Sequence, residues 1–263
     1  MASIAAQPPI QSDSSAGPNQ PVRSSNLFSS PLTLRLLTYF TVLMLGAAAY
    51  MAFIYAPLER SMGAVQRIFY FHVGAAWAGA LSFLITALAG VVYLATKNRK
   101  WDTVAESSVE VGLALLTMTL LSGPVWAASA WGQAWTLDPK LNSAAVMWLS
   151  YAAYLMLRQG IEDPVKRARF GAVYGLIAFS SVIMTYFGVR FIDTAIHPNV
   201  MGPSASTGSG DFGMAPRMLQ AMIFSFITFS FVLATLLWHR IRLGLFKQHV
   251  EQVKIAKFSQ EAF

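Results

Sequence analysis

Long apolar stretches alternate with short polar connectors along most of this chain. Six of the stretches have roughly the 20 mostly apolar residues that a helix needs to cross the hydrocarbon core of a membrane. They cover approximately residues 33–56, 68–95, 109–128, 141–157, 170–189 and 218–238. Membrane-spanning strands need only about 9 to 11 alternating residues. The pattern therefore predicts an all-α, polytopic membrane protein with six transmembrane helices.

The two ends of the chain differ from this apolar middle. Residues 1–31 are rich in Ser, Pro, Gln and Ala and show no periodic apolar face, which predicts a disordered tail. Residues 32–240 form the predicted six-helix transmembrane domain. Residues 241–263 alternate apolar and basic groups with roughly helical spacing, so this tail is expected to lie along a membrane surface.

Basic residues are distributed unevenly among the predicted connectors. The links after spans two and four and the C-terminal tail are rich in Lys and Arg. The links after spans one, three and five hold few, namely Arg60 and Arg67, Lys140, and Arg190 and Arg217. Because positive residues accumulate on the cytoplasmic side, both termini are expected in the cytoplasm and the odd-numbered links at the outer face. The same bias accounts for the net charge of +7, so membrane lipid is an expected partner and nucleic acid is not.

Several classes of chemistry are missing from the chain. It has no cysteine, so it can form no disulfide, thiolate metal site or thioether-linked cofactor. It also lacks a GxxxxGK[ST] phosphate loop and the HExxH and GxSxG motifs. The chain is therefore not expected to be an enzyme, and any energy source must lie on another protein.

Acidic residues mark predicted helix starts. Asp138-Pro139 and Asp163-Pro164 each combine an N-cap residue with a first-turn proline, before spans four and five. Glu106 and Glu110 are expected in the first turn of span three, where negative charge complements the helix dipole. A catalytic role for these carboxylates is the less favoured alternative.

Two of the four histidines fall on the predicted outer side. His72 lies near the start of span two in QRIFYFHVGAAW, and His197 lies in the link after span five in TAIHPN. An ionisable residue at membrane depth is a functional candidate by default. A packing role for His72, and no role for the loop residue His197, are the alternatives. His239 and His249 belong to the predicted cytoplasmic end, where a solvated role is expected.

Tryptophan is concentrated in one outer link, WAASAWGQAWTLDPK at residues 126–140. Trp131 and Trp135 are four residues apart, so in a helical conformation they would share one face, with Trp126 just upstream. Gly132 removes side-chain bulk beside them, which would let a flat ligand approach the backbone. An aromatic belt at the membrane interface is the alternative explanation.

Histidines and tryptophans on one face are the components of a heme site. Iron takes axial imidazole nitrogen, aromatic side chains contact the porphyrin, and basic groups pair with its propionates. The outer-face cations available for this pairing are Arg67, Lys140, Arg190 and Arg217. Without cysteine on this chain, the heme would be b-type and non-covalently bound.

Two of these segments resemble a known family. WAASAWGQAWTLDPK resembles the tryptophan-rich WGxxWxWD signature of the heme-handling membrane proteins of cytochrome c biogenesis. QRIFYFHVGAAW resembles the segment with the first heme-ligating histidine in one branch, cytochrome c maturation protein C or heme exporter protein C. Leu137 stands where the signature usually has a further tryptophan, and the DPK after it resembles the other branch, whose members are larger.

The resemblance implies residue roles and a function. It implies that His72 and His197 are axial ligands of heme iron. The implied heme-presenting loop consists of Trp126, Trp131, Gly132, Trp135 and Asp138. A protein of this branch binds heme at the outer face of the bacterial plasma (inner) membrane and presents it to a periplasmic heme chaperone, cytochrome c maturation protein E. The implied further partners form an ABC-type complex with it: the ATPase, the membrane protein and the small single-span protein, which are cytochrome c maturation proteins A, B and D.

The residues alone leave two other functions open. One is a membrane b-type cytochrome that carries electrons to or from quinone as part of a redox enzyme. The other is a permease that moves heme or another solute through the bundle. Charged groups along a path would favour a permease, but the centres of spans four to six contain almost none.

Overall fold

Six long helices make up the part of the chain that the computed structural model describes, which is residues 30–60, 62–187, 192, 197 and 214–261. We number them α1 (Leu32–Tyr50), α2 (Gln66–Thr96), α3 (Arg99–Trp131), α4 (Pro139–Gln159), α5 (Pro164–Tyr186) and α6 (Pro216–Glu261). A π-helical turn, Met51–Tyr55, continues α1. Within the described ranges no strand forms, which confirms the all-α prediction. The predicted disordered tail falls almost wholly outside the described residues.

Five of the helices are long and apolar enough to cross a membrane, which confirms a multi-pass membrane protein. The exception is α4, whose 21 residues extend about 31 Å but include Lys140, Asn142 and Arg158. The six helices lie at the positions predicted from the apolar pattern. That α4 also spans the bilayer, and that both termini are cytoplasmic, stay predictions.

Helix α3 begins ten residues before the apolar run that predicted it. Only Lys97 and Asn98 separate it from α2, and the Asn98 side chain caps α3 by accepting a hydrogen bond from the Lys100 backbone N–H at 3.0 Å. The prediction that Glu106 and Glu110 lie in the first turn is therefore wrong. Both carboxylates lie further along the helix, where arginines from other helices pair with them.

These ion pairs hold one end of the bundle together, which we call the ion-pair end. The Arg158 guanidinium binds both oxygens of Asp102, at 2.5 and 3.1 Å, and each side chain is only 3% exposed. Its Nη2 atom also lies 3.1 Å from Glu106. Arg158 was predicted in a polar link, but α4 continues through it and buries it against α3. At the same end, Arg240 of α6 pairs with Glu110.

Helix α6 continues without a break through residue 240, where the sequence predicted a boundary between the transmembrane domain and a basic tail. Its C-terminal part packs beside the start of α3, and the Gln248 amide donates a hydrogen bond to Thr103 Oγ1 at 2.7 Å. His239 in this region hydrogen-bonds to Thr38 of α1 at 3.0 Å. The described part of this tail thus continues α6, and its predicted position along the membrane surface stays a prediction.

Helix α2 lies at the centre and packs against α3, α5 and α6. Helix α1 packs mainly against α6, where Thr41 and Thr235 share a hydrogen bond of 2.8 Å. Leu36 and Leu43 on its other side are exposed, as expected of a helix that faces lipid. Successive helices from α2 to α6 run in opposite directions, so the connectors after α1, α3 and α5 meet at one end. We call this the histidine end.

Candidate functional site

The two outer histidines predicted from the sequence meet at the histidine end. His72 lies in the second turn of α2, and His197 lies in the connector between α5 and α6. Their ring centroids are 6.4 Å apart and the ring planes differ by 33°. Residues separated by 125 positions in the chain are therefore brought into one site, as the shared outer location predicted.

Trp126 and Trp131 form the aromatic surface next to these histidines. Their rings meet edge to face, with centroids 5.1 Å apart, and the Trp131 ring centroid lies 6.1 Å from that of His197. Trp131 and Trp135 would share one face only in a continuous helix, and α3 ends at Trp131, so that condition is not met. Trp126, one and a half turns upstream, is its partner instead.

Gly132 explains where α3 ends. Its backbone has φ of 74°, a left-handed conformation that glycine adopts without strain and that commonly terminates helices. A Cβ atom at this position would meet nothing within 4 Å. Backbone conformation therefore favours glycine at this position, and the prediction that Gly132 lets a flat ligand approach stays a prediction.

A cavity of about 610 Å³ opens between the helices beside the histidine pair. This volume is within the range of about 300 to 1,000 Å³ typical of small-molecule sites. On α2 the lining residues run from His72 through Ala76 and Ala80 to Leu84, a distance of about 18 Å along the helix axis. Most of the other lining side chains are apolar, so the site combines a polar, aromatic end with a deep apolar interior.

Several predicted site residues line this cavity and others lie beside it. The predicted residues in the lining are His72, His197, Trp126, Trp131, Trp135 and the candidate cation Lys140. Leu137 is 91% exposed and is not among the described lining residues. The side chain that stands in place of the tryptophan therefore does not contribute to the described cavity wall.

Asp138 acts at two places in the site. Its Oδ1 atom accepts hydrogen bonds from the backbone N–H groups of Lys140 and Leu141, at 2.8 and 3.2 Å, which confirms the predicted N-cap of α4. Its Oδ2 atom accepts a hydrogen bond from the backbone N–H of His197 at 3.2 Å. The carboxylate, only 3% exposed, thus links the connector between α3 and α4, which we call the tryptophan connector, to the connector between α5 and α6.

The predicted arginines are not part of the described cavity wall. Arg67 lies over the Phe53 ring, 5.9 Å from its centroid, and Arg217 lies over the Tyr55 ring at 5.3 Å. Both contacts are on the side of the π-helical turn. Arg190 lies outside the described residues. Lys140 is therefore the cation that the described part of the chain places in the cavity.

Sequence reasoning missed the group that contacts His72 from α3. Ser122 Oγ lies 3.1 Å from His72 Nδ1, and a Cβ atom on Gly123 would lie 3.1 Å from His72 Cε1. The sequence Ser-Gly-Pro inside an apolar run could have indicated a special contact here. Glycine and proline in a helix interior usually have a packing or functional reason. Tyr186 was also missed, and its hydroxyl donates to the Ala76 carbonyl at 2.7 Å.

The residues present fit a heme group. Two imidazoles that bind one metal ion from opposite sides, each nitrogen about 2 Å from it, have ring centroids roughly 6 Å apart, close to the 6.4 Å found here. No group of three metal-ligating side chains occurs among the described residues, so a paired-imidazole site suits iron already held by a macrocycle. The buried indole nitrogen of Trp126 has no hydrogen-bond partner in the described structure. It is therefore available to a polar group of a ligand.

Comparison with known proteins gives one family over most of the chain. The model of the family described as heme exporter protein C matches residues 19–256. Heme exporter protein C of Bradyrhizobium diazoefficiens is 26% identical over 236 residues, which are 88% of this chain and 87% of that protein. The protein of the same name from Rhodobacter capsulatus is 24% identical over 77% of this chain and 82% of its own length.

A second group of relatives matches a shorter part of the chain. The cytochrome c biogenesis protein CcsA of Prochlorococcus marinus is 39% identical over 100 residues. The match covers 38% of this chain and 31% of that protein. Identity over this shared segment is therefore higher than the identity of 26% to heme exporter protein C over 88% of the chain.

Proposed function

The chain belongs to the heme exporter protein C family, and we propose that it binds heme between His72 and His197 and presents it for cytochrome c biogenesis. Heme handling in cytochrome c biogenesis is the role that the names of its relatives describe. The observation that carries the more specific proposal is the meeting of two imidazoles, 6.4 Å apart, beside an apolar cavity. Both functional segments identified in the sequence contribute to that one place.

Each side chain at the histidine end has a role in this proposal. His72 and His197 would hold heme through their imidazole nitrogens, and the heme would supply the iron that they bind. Trp126, Trp131 and Trp135 offer flat apolar surface to the ring. Lys140 and the Trp126 indole N–H offer a charge and a donor to the carboxylate groups of heme. The binding is b-type and non-covalent.

The remaining predicted residues act around this site. Asp138 holds the His197 backbone, and Gly132 ends α3 so that the tryptophan connector can turn towards it. Arg67 and Arg190 stay candidates for the heme carboxylates. Of the outer-face cations that the structure describes, Lys140 is favoured over Arg67, because it lines the cavity while Arg67 lies over Phe53.

We place the histidine end at the periplasmic face of the bacterial plasma membrane. The connectors at the opposite end and the end of α6 carry most of the basic residues, and such residues accumulate on the cytoplasmic side. With six spans, α4 included, both termini are cytoplasmic. The buried pairing of Arg158 with Asp102 supports a membrane position for α4, since it neutralises the charge that lowers the hydropathy of that helix.

The proposed partners follow from what the chain lacks and where the site lies. It has no phosphate loop, so a separate ATPase, cytochrome c maturation protein A, would supply the energy. A membrane protein and a small single-span protein, maturation proteins B and D, would complete the ABC-type complex. A periplasmic heme chaperone, maturation protein E, would accept heme from the histidine end. The chain itself acts as a binding and handover protein and not as an enzyme.

A b-type cytochrome of a redox enzyme is the main alternative function, because it also holds heme with two histidines. The location of His197 in a connector disfavours it, since electron-transfer hemes normally lie between facing helices. A permease is the second alternative, and the extension of the cavity down to Leu84 is the observation in its favour. Rapid heme reduction by a quinol would support the first, and solute uptake into liposomes without ATPase the second.

The function is tested by measuring heme content and heme transfer. The purified full-length chain is expected to retain heme after gel filtration, and to transfer it to added apo-chaperone. His72→Ala and His197→Ala should each lower the heme content after gel filtration, while His239→Ala, a matched change at the ion-pair end, should not. Undiminished heme content in both site variants would refute the proposed ligands.

A further inference from the structure

Ser122 is the polar group of α3 that touches a proposed heme ligand. Its Oγ atom lies 3.1 Å from the Nδ1 atom of His72. A neutral imidazole carries its proton on one nitrogen only, and the other nitrogen then has the lone pair that can bind a metal. Which nitrogen carries the proton therefore decides which atom of His72 can reach iron.

The hydroxyl proton of Ser122 is already used. Ser122 Oγ lies 2.8 Å from the Met118 carbonyl oxygen and 3.3 Å from that of Thr119. Carbonyl oxygens only accept hydrogen bonds, so the single Ser122 proton points towards them. The oxygen is then left as an acceptor, and its contact with His72 requires that Nδ1 carries the proton.

From this geometry we propose that Ser122 is a positioning residue, which holds His72 in the Nδ1-protonated form and leaves Nε2 as the metal-binding atom. The inference rests on the proposed function, in which His72 ligates heme. A hydrogen bond from the far nitrogen of a ligating histidine fixes the ring orientation and raises the basicity of the ligand. Ser122 supplies the acceptor for this bond from a neighbouring helix.

Neighbouring residues of α3 also leave space for the His72 imidazole. Gly123 leaves the space that the ring occupies, since a Cβ there would lie 3.1 Å from His72 Cε1. Pro124 follows directly, within α3. Loss of the Ser122 hydroxyl removes the acceptor but leaves this space, so it is expected to weaken the preference for the Nδ1-protonated form.

The first test uses the protein without heme. Four histidines can be labelled with nitrogen-15 in the full-length chain in detergent, and His72→Ala assigns the His72 signals. At a pH where the ring is neutral, we expect the wild type to show Nδ1 protonated and Nε2 unprotonated. Ser122→Ala should lower the ratio of the two forms by about fivefold, the effect of losing one hydrogen bond.

Two further variants separate positioning from general damage. Ser122→Thr keeps the hydroxyl and should restore the wild-type ratio. Ser150→Ala removes a serine of α4 that bonds a carbonyl at the same spacing, Val146 at 2.8 Å, and should leave His72 unchanged. A wild type with Nε2 protonated, or a ratio that Ser122→Ala does not change, would overturn the assignment.

The second test uses the heme-loaded protein and reports on ligand basicity. Loss of the Ser122 bond should raise the reduction potential of the heme, because a less basic imidazole stabilises ferric iron less. An unchanged potential in Ser122→Ala would count against the assignment. If His72→Ala and His197→Ala both keep their full heme content, the proposed ligation fails by itself. The nitrogen signals of the heme-free protein still test the contact between Ser122 and His72.

Discussion

The carboxylate of Asp138 holds the backbone of His197. Its Oδ2 atom accepts the His197 N–H at 3.2 Å, while Oδ1 caps α4 through Lys140 and Leu141. The acidic residue of the tryptophan connector therefore fixes the position of a histidine 59 residues later in the chain. In the proposed site it acts on the heme through His197, without having to touch the heme.

Asp138→Asn is expected to keep the cap of α4 but to lose the hydrogen bond to the His197 backbone. An amide can keep its oxygen towards α4 and so retain the cap, but it then turns an NH₂ group towards the His197 N–H. Heme binding should weaken by roughly tenfold, as for other residues that support a ligand, with little loss of thermal stability. Heme titration and thermal unfolding in detergent measure the two effects.

Asp138→Ala removes both tasks and should also lower the free energy of unfolding by about 1 kcal/mol, the usual effect of losing an N-cap. Asp163→Ala is the matched control, because Asp163 caps α5 before a proline with the same geometry and is far from the histidines. Equal losses of heme affinity in Asp138→Ala and Asp163→Ala would contradict the specific role of Asp138.

Trp131→Leu is expected to reduce heme affinity, since it removes the ring that contacts both Trp126 and His197. The loss should be about two- to tenfold, because an aromatic contact adds about 0.5 to 1.5 kcal/mol beyond the area it buries. Leu137→Ala is the control from the same connector, and its side chain is 91% exposed. A titration in which both variants bind heme like the wild type would show that the tryptophan surface is only an interfacial belt.

Gly123→Ala should disturb His72 without changing any polar group. The added Cβ would lie 3.1 Å from His72 Cε1, so the ring must move by a few tenths of an ångström. We expect a shifted heme absorption spectrum and roughly tenfold weaker binding. Gly46→Ala in α1, where a Cβ would meet nothing within 4 Å, should leave the spectrum unchanged. An unaltered spectrum in Gly123→Ala would show that His72 is not held against α3.

Arg158→Ala should destabilise the protein without altering the heme site. It leaves the Asp102 carboxylate, 3% exposed, without its main partner, and breaking a buried pair costs about 3 to 5 kcal/mol. Arg240→Ala breaks the more exposed pair with Glu110 and should cost no more than about 1 kcal/mol. Denaturation in mild detergent measures both. A changed heme spectrum in folded Arg158→Ala would show that the two ends of the bundle are coupled.

The apolar pattern predicted the helices well and their ends less well. Apolar runs identify the part of a helix that faces lipid or core, so α2 was predicted to within about two residues. Helix α3 begins ten residues earlier, because Asp102 and Glu106 are neutralised by Arg158 of α4. The local pattern of apolar and polar residues cannot indicate a partner so distant in the chain. For the same reason, the sequence did not predict that Arg158 is buried.

The candidate site was predicted from residue type and side of the membrane, and its details were not. His72, His197 and the tryptophans could be placed on one face because topology alone brings odd-numbered connectors together. The separation of Trp135 from the helix face of Trp131 depends on the left-handed turn at Gly132, which ends α3 between them. The role of Asp138 depends on the position of the His197 backbone. Ser122 reaches His72 from another helix, a contact that only the packing of α2 against α3 creates.

The proposed ligation is tested by electron paramagnetic resonance of the ferric heme-loaded protein. The wild type should give the low-spin signal of an iron with two axial imidazoles. His72→Ala and His197→Ala should each lose that signal. Added imidazole should restore the signal in a variant if it can enter the space left by the missing side chain. A low-spin bis-imidazole signal that persists in either variant would contradict ligation of one iron by His72 and His197.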